Sequence, residues 1–254
     1  MAETKQILRR IIDEPLPGNL NMGIDESILE AVNAGDSSAT LRFYQWNEPT
    51  ISLGYFQKAE DFLDQDDTIQ NMPMVRRQTG GGAILHDNEI TYSLIVPLND
   101  SLPFTNIGPM VELVHDAFIS VNASMGLPLS YRGKTDQDDH AQKGPFFCFS
   151  RSHCLDLTID DLKIVGSAQR RKKHAALQHG SFILKQNYMQ QICAAAEDKT
   201  NTPFDKTSFI NQTSAIIANK LNLSMETGAL TDKERQYALN MEKKYGSDAW
   251  TKQR

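Results

Sequence analysis

Cysteine is scarce in this chain: Cys148, Cys154 and Cys193 are the only three, none of them in a CxxC pair, and one is left over if two bridge. That spacing excludes a zinc-ribbon ligand set and the framework of a disulfide-stapled secreted domain, and it suits a reducing cytosol. Long apolar runs are missing as well. No stretch approaches the roughly 20 residues that a membrane span needs. The opening MAETKQILRRIIDEP places Arg9, Arg10, Asp13 and Glu14 where a secretory leader has its apolar core. Positive charge is in deficit, 26 Lys and Arg against 32 Asp and Glu, and the resulting net charge of −6 argues against nucleic acid as a principal partner. No internal repeat or low-complexity segment appears. What is present is ordinary for a globular protein. With 254 residues, 40% of them hydrophobic, one full core can be buried. The expectation is a single cytoplasmic domain over residues 1–254, of enzyme size, with no membrane attachment.

The most informative stretch runs from Val75 to Pro97, VRRQTGGGAILHDNEITYSLIVP. Two arginines, Arg76 and Arg77, lead to Thr79 and three consecutive glycines, Gly80, Gly81 and Gly82. A second apolar run ends in His86-Asp87-Asn88 and a third follows from Ile90. The pattern predicts strand, glycine loop, strand, two-residue turn, strand. Consecutive glycines let a backbone approach a ligand closely, with N–H groups aimed at an anion or a carbonyl oxygen. The spacing is not that of a Walker loop, and the residues after it alternate like a strand rather than opening a dinucleotide-binding helix. On the glycines alone, a hairpin with no ligand fits equally well.

Elsewhere the spacing predicts a strand or short helix over Ile7–Ile12, then a helix capped by Asn21 and ended by Gly35. Asp25 and Glu26 fall in its first turns as dipole and packing residues rather than catalytic ones. Thr40–Trp46 alternates as a half-buried strand, Thr50–Leu53 is a second, and the acids of residues 60–67 form a solvated helix face. Asn106–Met125 is an amphipathic helix with His115 beside its stripe, an ordinary histidine. Residues 127–144 show no period and predict a long surface loop. Leu155–Ile159 and Leu162–Val165 form a hairpin turning at Asp160-Asp161, and Ala175–Leu184 returns as a strand. Helices follow over Tyr188–Ala196 and Ser208–Leu221. A Thr231/Glu234 capping box starts another that Gly246 ends, with Trp250 docking it.

Two motifs carry a resemblance. RRxTGGGAxxHD followed by a strand is similar to the signature of the lipoate–protein ligase and lipoyl/octanoyl transferase family, whose catalytic domain is related to that of biotin–protein ligases. LKIVGSAQRRKKHAALQHGSFIL resembles that family's second motif, K-[IV]-x-G-[SA]-A-[QY]-R, begun here by Lys163 and closed by His179-Gly180-Ser181. The motifs occur in order, about 80 residues apart, and the likeness extends over roughly residues 20–250. It implies an α/β fold of α+β type, a central mixed, largely antiparallel sheet flanked by helices, as in biotin–protein ligases and class II synthetases. It also implies a substrate site built from Arg76, Arg77, Thr79, Gly80, Gly81, Gly82, His86, Gly166, Ser167, Ala168, His179 and Gly180, with Lys163 catalytic.

The family divides by chemistry. One branch resembling lipoate–protein ligases transfers octanoyl groups through a cysteine thioester, and its cysteine lies in a C-F step fifteen residues before the motif lysine. Cys148-Phe149 precedes Lys163 by fifteen. The register makes Cys148 the candidate nucleophile, whereas Cys154 and Cys193 match no register and count as buried small hydrophobes. Thioester exchange is near-balanced and requires no ATP. A thiol at its reference pKa of about 8.5 is only a few per cent thiolate at neutral pH, and a neighbouring ammonium favours the thiolate. Backbone N–H groups near the nucleophile are the expected oxyanion donors. His153, in the Ser150-Arg151-Ser152-His153 stretch that departs from the usual small and proline residues, is either a proton carrier or an exposed loop residue.

The resemblance therefore implies a cytosolic octanoyltransferase with no cofactor and no metal, octanoyl–acyl carrier protein as donor, and a lipoyl domain or glycine-cleavage H protein as acceptor. Two alternatives stay open. The full glycine triplet is typical of ATP-dependent ligases, which would use ATP, Mg²⁺ and lipoate. A non-catalytic lipoyl-domain binder would need neither Cys148 nor Lys163. Because acyl carrier proteins and lipoyl domains are acidic as classes, the run Arg170, Arg171, Lys172 and Lys173 is the expected partner-docking patch.

Overall fold

In the computed structural model, residues 6–63, 65, 67–99, 102, 104, 106–133, 146–150, 153–186 and 193–254 are described. The chain begins with strand β1 (Ile7–Ile12) and helix α1 (Gly18–Ala34), then β2 (Ala39–Tyr44), β3 (Thr50–Leu53) and two short helical turns, α2 (Glu60–Leu63) and α3 (Asp67–Gln70). β4 (Met74–Arg76), β5 (Ile84–His86) and β6 (Glu89–Pro97) bracket the glycine loop and the Asp87-Asn88 turn. Helix α4 (Gly108–Ser124), β7 (Ser130–Tyr131), a 3₁₀ turn at Cys148–Ser150, β8 (Leu157–Ile159), β9 (Leu162–Arg171) and β10 (Ala175–Ile183) follow. The chain closes with α5 (Ala196–Thr200), α6 (Lys206–Lys220), β11 (Ser224–Thr227), α7 (Asp232–Tyr245) and α8 (Asp248–Thr251).

Eight strands form one sheet in the order β11-β1-β2-β6-β10-β9-β8-β7, parallel from β11 to β2 and antiparallel from β2 onward. A separate three-stranded sheet, β4-β3-β5, carries the glycine loop. Strand periodicity decides the layering of the large sheet. Leu94, Val96 and Ala176 face the core under α4 and α6, where Phe118, Phe182 and Phe209 pack edge-on or stacked. Ile95, Ala175 and Leu177 alternate to the other face, against Ile24, Ile28 and Leu29 of α1 and Ala238 of α7. With both faces covered, the middle strands are buried throughout. The mixed, largely antiparallel sheet flanked by helices is thus as the sequence implied, and among the described residues no helix is long and apolar enough to cross a membrane.

Several expectations need correction. β2 is buried over its whole length rather than half-buried, because its polar residues find partners inside. Helix α1 begins at Gly18 after Pro17. Asn21 is therefore no cap but a buried residue, its amide donating to Leu16 O and Gln45 O. Asp25 and Glu26 lie two turns into that helix, beyond the reach of its N-terminal dipole. The expected surface loop starts with Leu127 and Leu129 in the core and adds β7 to the sheet edge, while residues 134–145 lie outside the described residues. Most of the helix expected over Tyr188–Ala196 also lies outside them, and Cys193–Ala195 are not helical, so α5 opens only at Ala196. The β8–β9 turn, the Gly35 end of α1 and the Thr231/Glu234 capping box form as expected, with Asp160 and Asp161 both at positive φ.

Candidate active site

The glycine loop and the cysteine are joined by main-chain pairing. Ala83 N donates to Phe146 O at 2.9 Å and Cys148 N to Ala83 O at 2.6 Å, a parallel bridge that anchors the C-F step to the end of the loop. This pairing uses the amides of Cys148 and Ala83, so neither of these two N–H groups is left to meet a ligand in the cavity. Gly81 sits at φ +97°, a conformation strained for any side chain, and a Cβ there would lie 3.7 Å from Cys148 Sγ and 2.9 Å from Arg77 Nη2.

Lys163 arrives from β9. Its Nζ stands 4.0 Å from Cys148 Sγ and 3.4 Å from Cys148 O. Its stem lies across Gly166, where a Cβ would be 2.6 Å from Lys163 Cε and 3.0 Å from Nζ. The ammonium is not a lone charge. Asp156 Oδ1 pairs with it at 2.9 Å, both side chains buried, while Asp156 Oδ2 accepts from His153 N at 2.9 Å. A carboxylate this close offsets the field that Lys163 would otherwise project onto the sulfur and leaves the ammonium as a fixed donor 4.0 Å from it. His153 itself is exposed, and its Nδ1 accepts from Leu155 N as part of the turn that carries Asp156.

Cys148 opens onto a small cavity of about 50 Å³ lined by Arg77, Gly81, His86, Gly166, Ser167, Ala168, His179 and Gly180, with Met22, Tyr44, Trp46 and Ile84 as its apolar wall. Thr79, Gly80 and Gly82 do not line it. Arg77 donates to Gly80 O at 2.8 Å, Gly82 O at 2.7 Å, Ser52 O at 2.8 Å and Thr79 Oγ1 at 3.2 Å, and so shapes the loop. Arg76 is turned away from the cavity altogether. It binds Gln57 O, Gly54 O and Thr251 O, while its own carbonyl accepts from Trp250 Nε1 at 2.7 Å, which docks the C-terminal helix.

Three imidazoles stand around this space, each joined to a hydroxyl. Thr79 Oγ1 meets His179 Nε2 at 2.7 Å, and His179 Nδ1 meets Asp25 Oδ2 at 3.1 Å. Burial alone would raise the Asp25 carboxyl, but His179, Arg42 and Ser93 hold it below its ordinary value. Ser52 Oγ meets His86 Nε2 and Glu89 Oε1 meets His86 Nδ1, both at 2.7 Å, with Trp46 stacked on the ring at 3.9 Å. Burial outweighs the Glu89 carboxylate and lowers the His86 pKa. His115 is buried, bonding Leu155 O and Ser167 Oγ at 2.7 Å each, and burial pushes it down to about 4. Sequence reasoning passed over Asp25, His115, Trp46, Tyr92 and Asp156. Asp25 reads as a dipole and packing residue and His115 as an ordinary histidine, and nothing local marks Trp46, Tyr92 or Asp156. Among the described residues no group of three His, Cys, Asp or Glu could hold a metal ion, and the three cysteines are unbridged.

Arg170 is exposed near the end of β9, 5.8 Å from the Tyr55 ring, and Lys173 is exposed in the turn that follows, so the basic run is only partly a turn. Arg171 and Lys172 are already engaged, Arg171 with Phe104 O and Lys172 with Glu30.

Comparison with known proteins places this geometry. The lipoyl protein ligase A/B catalytic domain matches residues 17–226. The chain is similar to octanoyltransferase LipM of Clostridioides difficile, 33% identical over 97% of this chain and 98% of that one. It is also similar to LipM of an Exiguobacterium species, 35% identical over 91% and 92%, and to that of Staphylococcus epidermidis, 30% identical over 91% and 92%. Among solved structures, a Thermoplasma acidophilum protein described as a putative lipoate protein ligase superposes with a TM-score of 0.78 at 22% identity, covering 97% of this chain and 98% of its own. A lipoate-protein ligase A bound with ATP gives 0.77 at 22% identity, covering 96% and 98%. The chain belongs to the lipoyl protein ligase A/B catalytic domain family.

Proposed function

We propose that the protein is an octanoyltransferase of lipoate biosynthesis, taking an octanoyl group from acyl carrier protein onto Cys148 and passing it to a lysine of a lipoyl domain or glycine-cleavage H protein. The observation that carries this reading is the placement of Cys148 in the cavity lining, with Sγ 4.0 Å from Lys163 Nζ and beside Gly81. The LipM relatives, similar over nearly the whole chain, support the reaction class.

The Cys148 thiolate adds to the donor's thioester carbonyl. The carbon–sulfur bond to the donor breaks, and its thiolate leaves. One thioester replaces another, so neither ATP nor a cofactor is required. Lys163 Nζ, held by Asp156 beside the sulfur, is the donor placed to orient the carbonyl oxygen and take up its developing charge. The apolar wall of Met22, Tyr44, Trp46 and Ile84 receives the acyl chain.

Mixing the protein with octanoyl–acyl carrier protein in the absence of ATP should give one octanoyl adduct by intact mass, labile to hydroxylamine, and Cys148→Ala should abolish adduct and turnover together. Undiminished ATP-dependent ligation by Cys148→Ala would overturn the reading in favour of a ligase.

A further inference from the structure

The hydroxyl of Ser167 belongs to a hydrogen-bond chain whose directions are forced from both ends. Leu155 O can only accept, so His115 Nδ1 carries the proton in their 2.7 Å bond. The buried ring is neutral at neutral pH, which leaves Nε2 as an acceptor, and the Ser167 O–H must donate to it at 2.7 Å. At the other end, Gln178 Oε1 accepts from Gln169 Nε2, which fixes the amide so that Gln178 Nε2 donates to Tyr92 OH at 2.7 Å. Tyr92 then donates to Ser167 Oγ at 2.7 Å, because the serine's only proton is already committed. A serine oxygen has two lone pairs. One is taken by Tyr92, and among the described residues no group donates to the other. Ser167 is half-buried and lines the cavity that Cys148 opens onto, one residue beyond the glycine over which Lys163 lies.

A group so arranged can accept a hydrogen bond from a ligand but cannot give one. A thioester offers only acceptors, whereas an attacking amine offers N–H donors. Resting on the transferase reading above, we infer that Ser167 is the positioning residue for the acceptor amine, receiving one of its N–H bonds while the nitrogen lone pair faces the Cys148 thioester. The neutral amine adds to the thioester carbon, a carbon–nitrogen bond forms and the carbon–sulfur bond breaks. The second N–H proton moves to the departing Cys148 sulfur, and Ser167 neither gains nor loses a proton. Ser52 and Thr79 also meet imidazoles, but both are fully buried and both accept from Arg77.

The test separates the two halves of the reaction. Purified full-length protein is loaded on Cys148 with octanoyl–acyl carrier protein. Decay of the thioester is then followed with a lipoyl domain as amine acceptor and, separately, with dithiothreitol as an acceptor lacking N–H. Ser167→Ala should load at the wild-type rate and discharge normally to the thiol, but discharge to the lipoyl domain about tenfold more slowly, the worth of one hydrogen bond. Ser167→Thr, which keeps the hydroxyl, should restore most of that rate. Normal discharge of Ser167→Ala to the lipoyl domain, or equal slowing with both acceptors, would overturn the assignment while leaving the transferase reading intact. Failure of the wild-type protein to load at all would overturn that reading, and the assignment with it.

Discussion

Replacing Asp25 by alanine should be among the most damaging single changes this fold can suffer outside the reacting atoms. The carboxylate is 1% exposed and takes four donors: Arg42 Nη1 at 2.9 Å, Ser93 Oγ at 2.8 Å, Tyr44 OH at 3.0 Å and His179 Nδ1 at 3.1 Å. Alanine strands all four inside the protein and leaves the buried Arg42 guanidinium with Asp13 as its one remaining carboxylate. Removing one partner of a buried ion pair costs about 3–5 kcal/mol, a large share of the roughly 5–15 kcal/mol that stabilises a domain. Urea denaturation of the apoprotein at pH 7 should therefore lose several kcal/mol. The pH dependence has a definite sign. The folded carboxyl titrates below its unfolded value, so its contribution is fully present above about pH 3.9 and is lost as pH falls through the lower, folded pKa. The gap between wild type and Asp25→Ala should accordingly be level from pH 7 to 5 and narrow only below about 4. A loss under about 1 kcal/mol, or a gap that narrows near neutrality, would refute the account of Asp25 as the ionised centre of this network.

Two further outcomes follow from the site. Gly166→Ala puts a methyl 2.6 Å from Lys163 Cε, which should shift the ammonium away from Cys148 and slow loading of the thioester by at least about tenfold, and should also lower thermal stability because the buried Lys163–Asp156 pair is disturbed; stopped-flow loading beside a melt checks both. Arg170→Glu with Lys173→Glu, the two exposed members of the basic run, should slow transfer from octanoyl–acyl carrier protein at low salt and matter little near 0.5 M, since exposed charges act over a Debye length of about 10 Å at 0.1 M and less above it; equal rates across a salt titration would remove the steering role.

The parts of this fold that were legible in sequence are those whose cause is local. Gly35 ending α1, Asp160-Asp161 turning β8 into β9 and Thr231 with Glu234 starting α7 each depend on a few adjacent residues. The Cys148–Lys163 register was legible because it is a spacing within one segment. Tertiary cover overrode local pattern elsewhere. Thr40–Trp46 reads as a half-buried strand, yet Arg42 and Tyr44 are buried because α1 brings Asp25 and Asn21 to meet them. Arg76 and Arg77 were both assigned to substrate from their place beside the glycines. Only the structure separates Arg77, which lines the cavity and fastens the loop, from Arg76, which ties β4 to Gly54, Gln57 and α8. The hydroxyl–imidazole pairs had no signature at all, since Thr79 and His179 lie 100 residues apart and His115 and Ser167 lie 52 apart.

Those three pairs share a logic that bears on how the cavity works. In each, one ring nitrogen faces a group that can only accept: Asp25 for His179, Glu89 for His86 and Leu155 O for His115. For His86 and His115, whose burial keeps the rings neutral, the other nitrogen is then left to receive a hydroxyl proton, so the hydroxyl rotors of Ser52 and Ser167 are locked rather than free. Arg77 adds donors to Thr79 and Ser52 and binds the Gly80 and Gly82 carbonyls, so loop and hydroxyls are set as one unit. Burying so many polar groups contributes little net stability compared with an apolar core, but it fixes direction, which reacting groups need and a core does not. The apolar wall meanwhile supplies burial without direction, which suits a saturated acyl chain. Orientation at the carbonyl end and indifference along the chain can therefore coexist in one cavity, because different residues supply them.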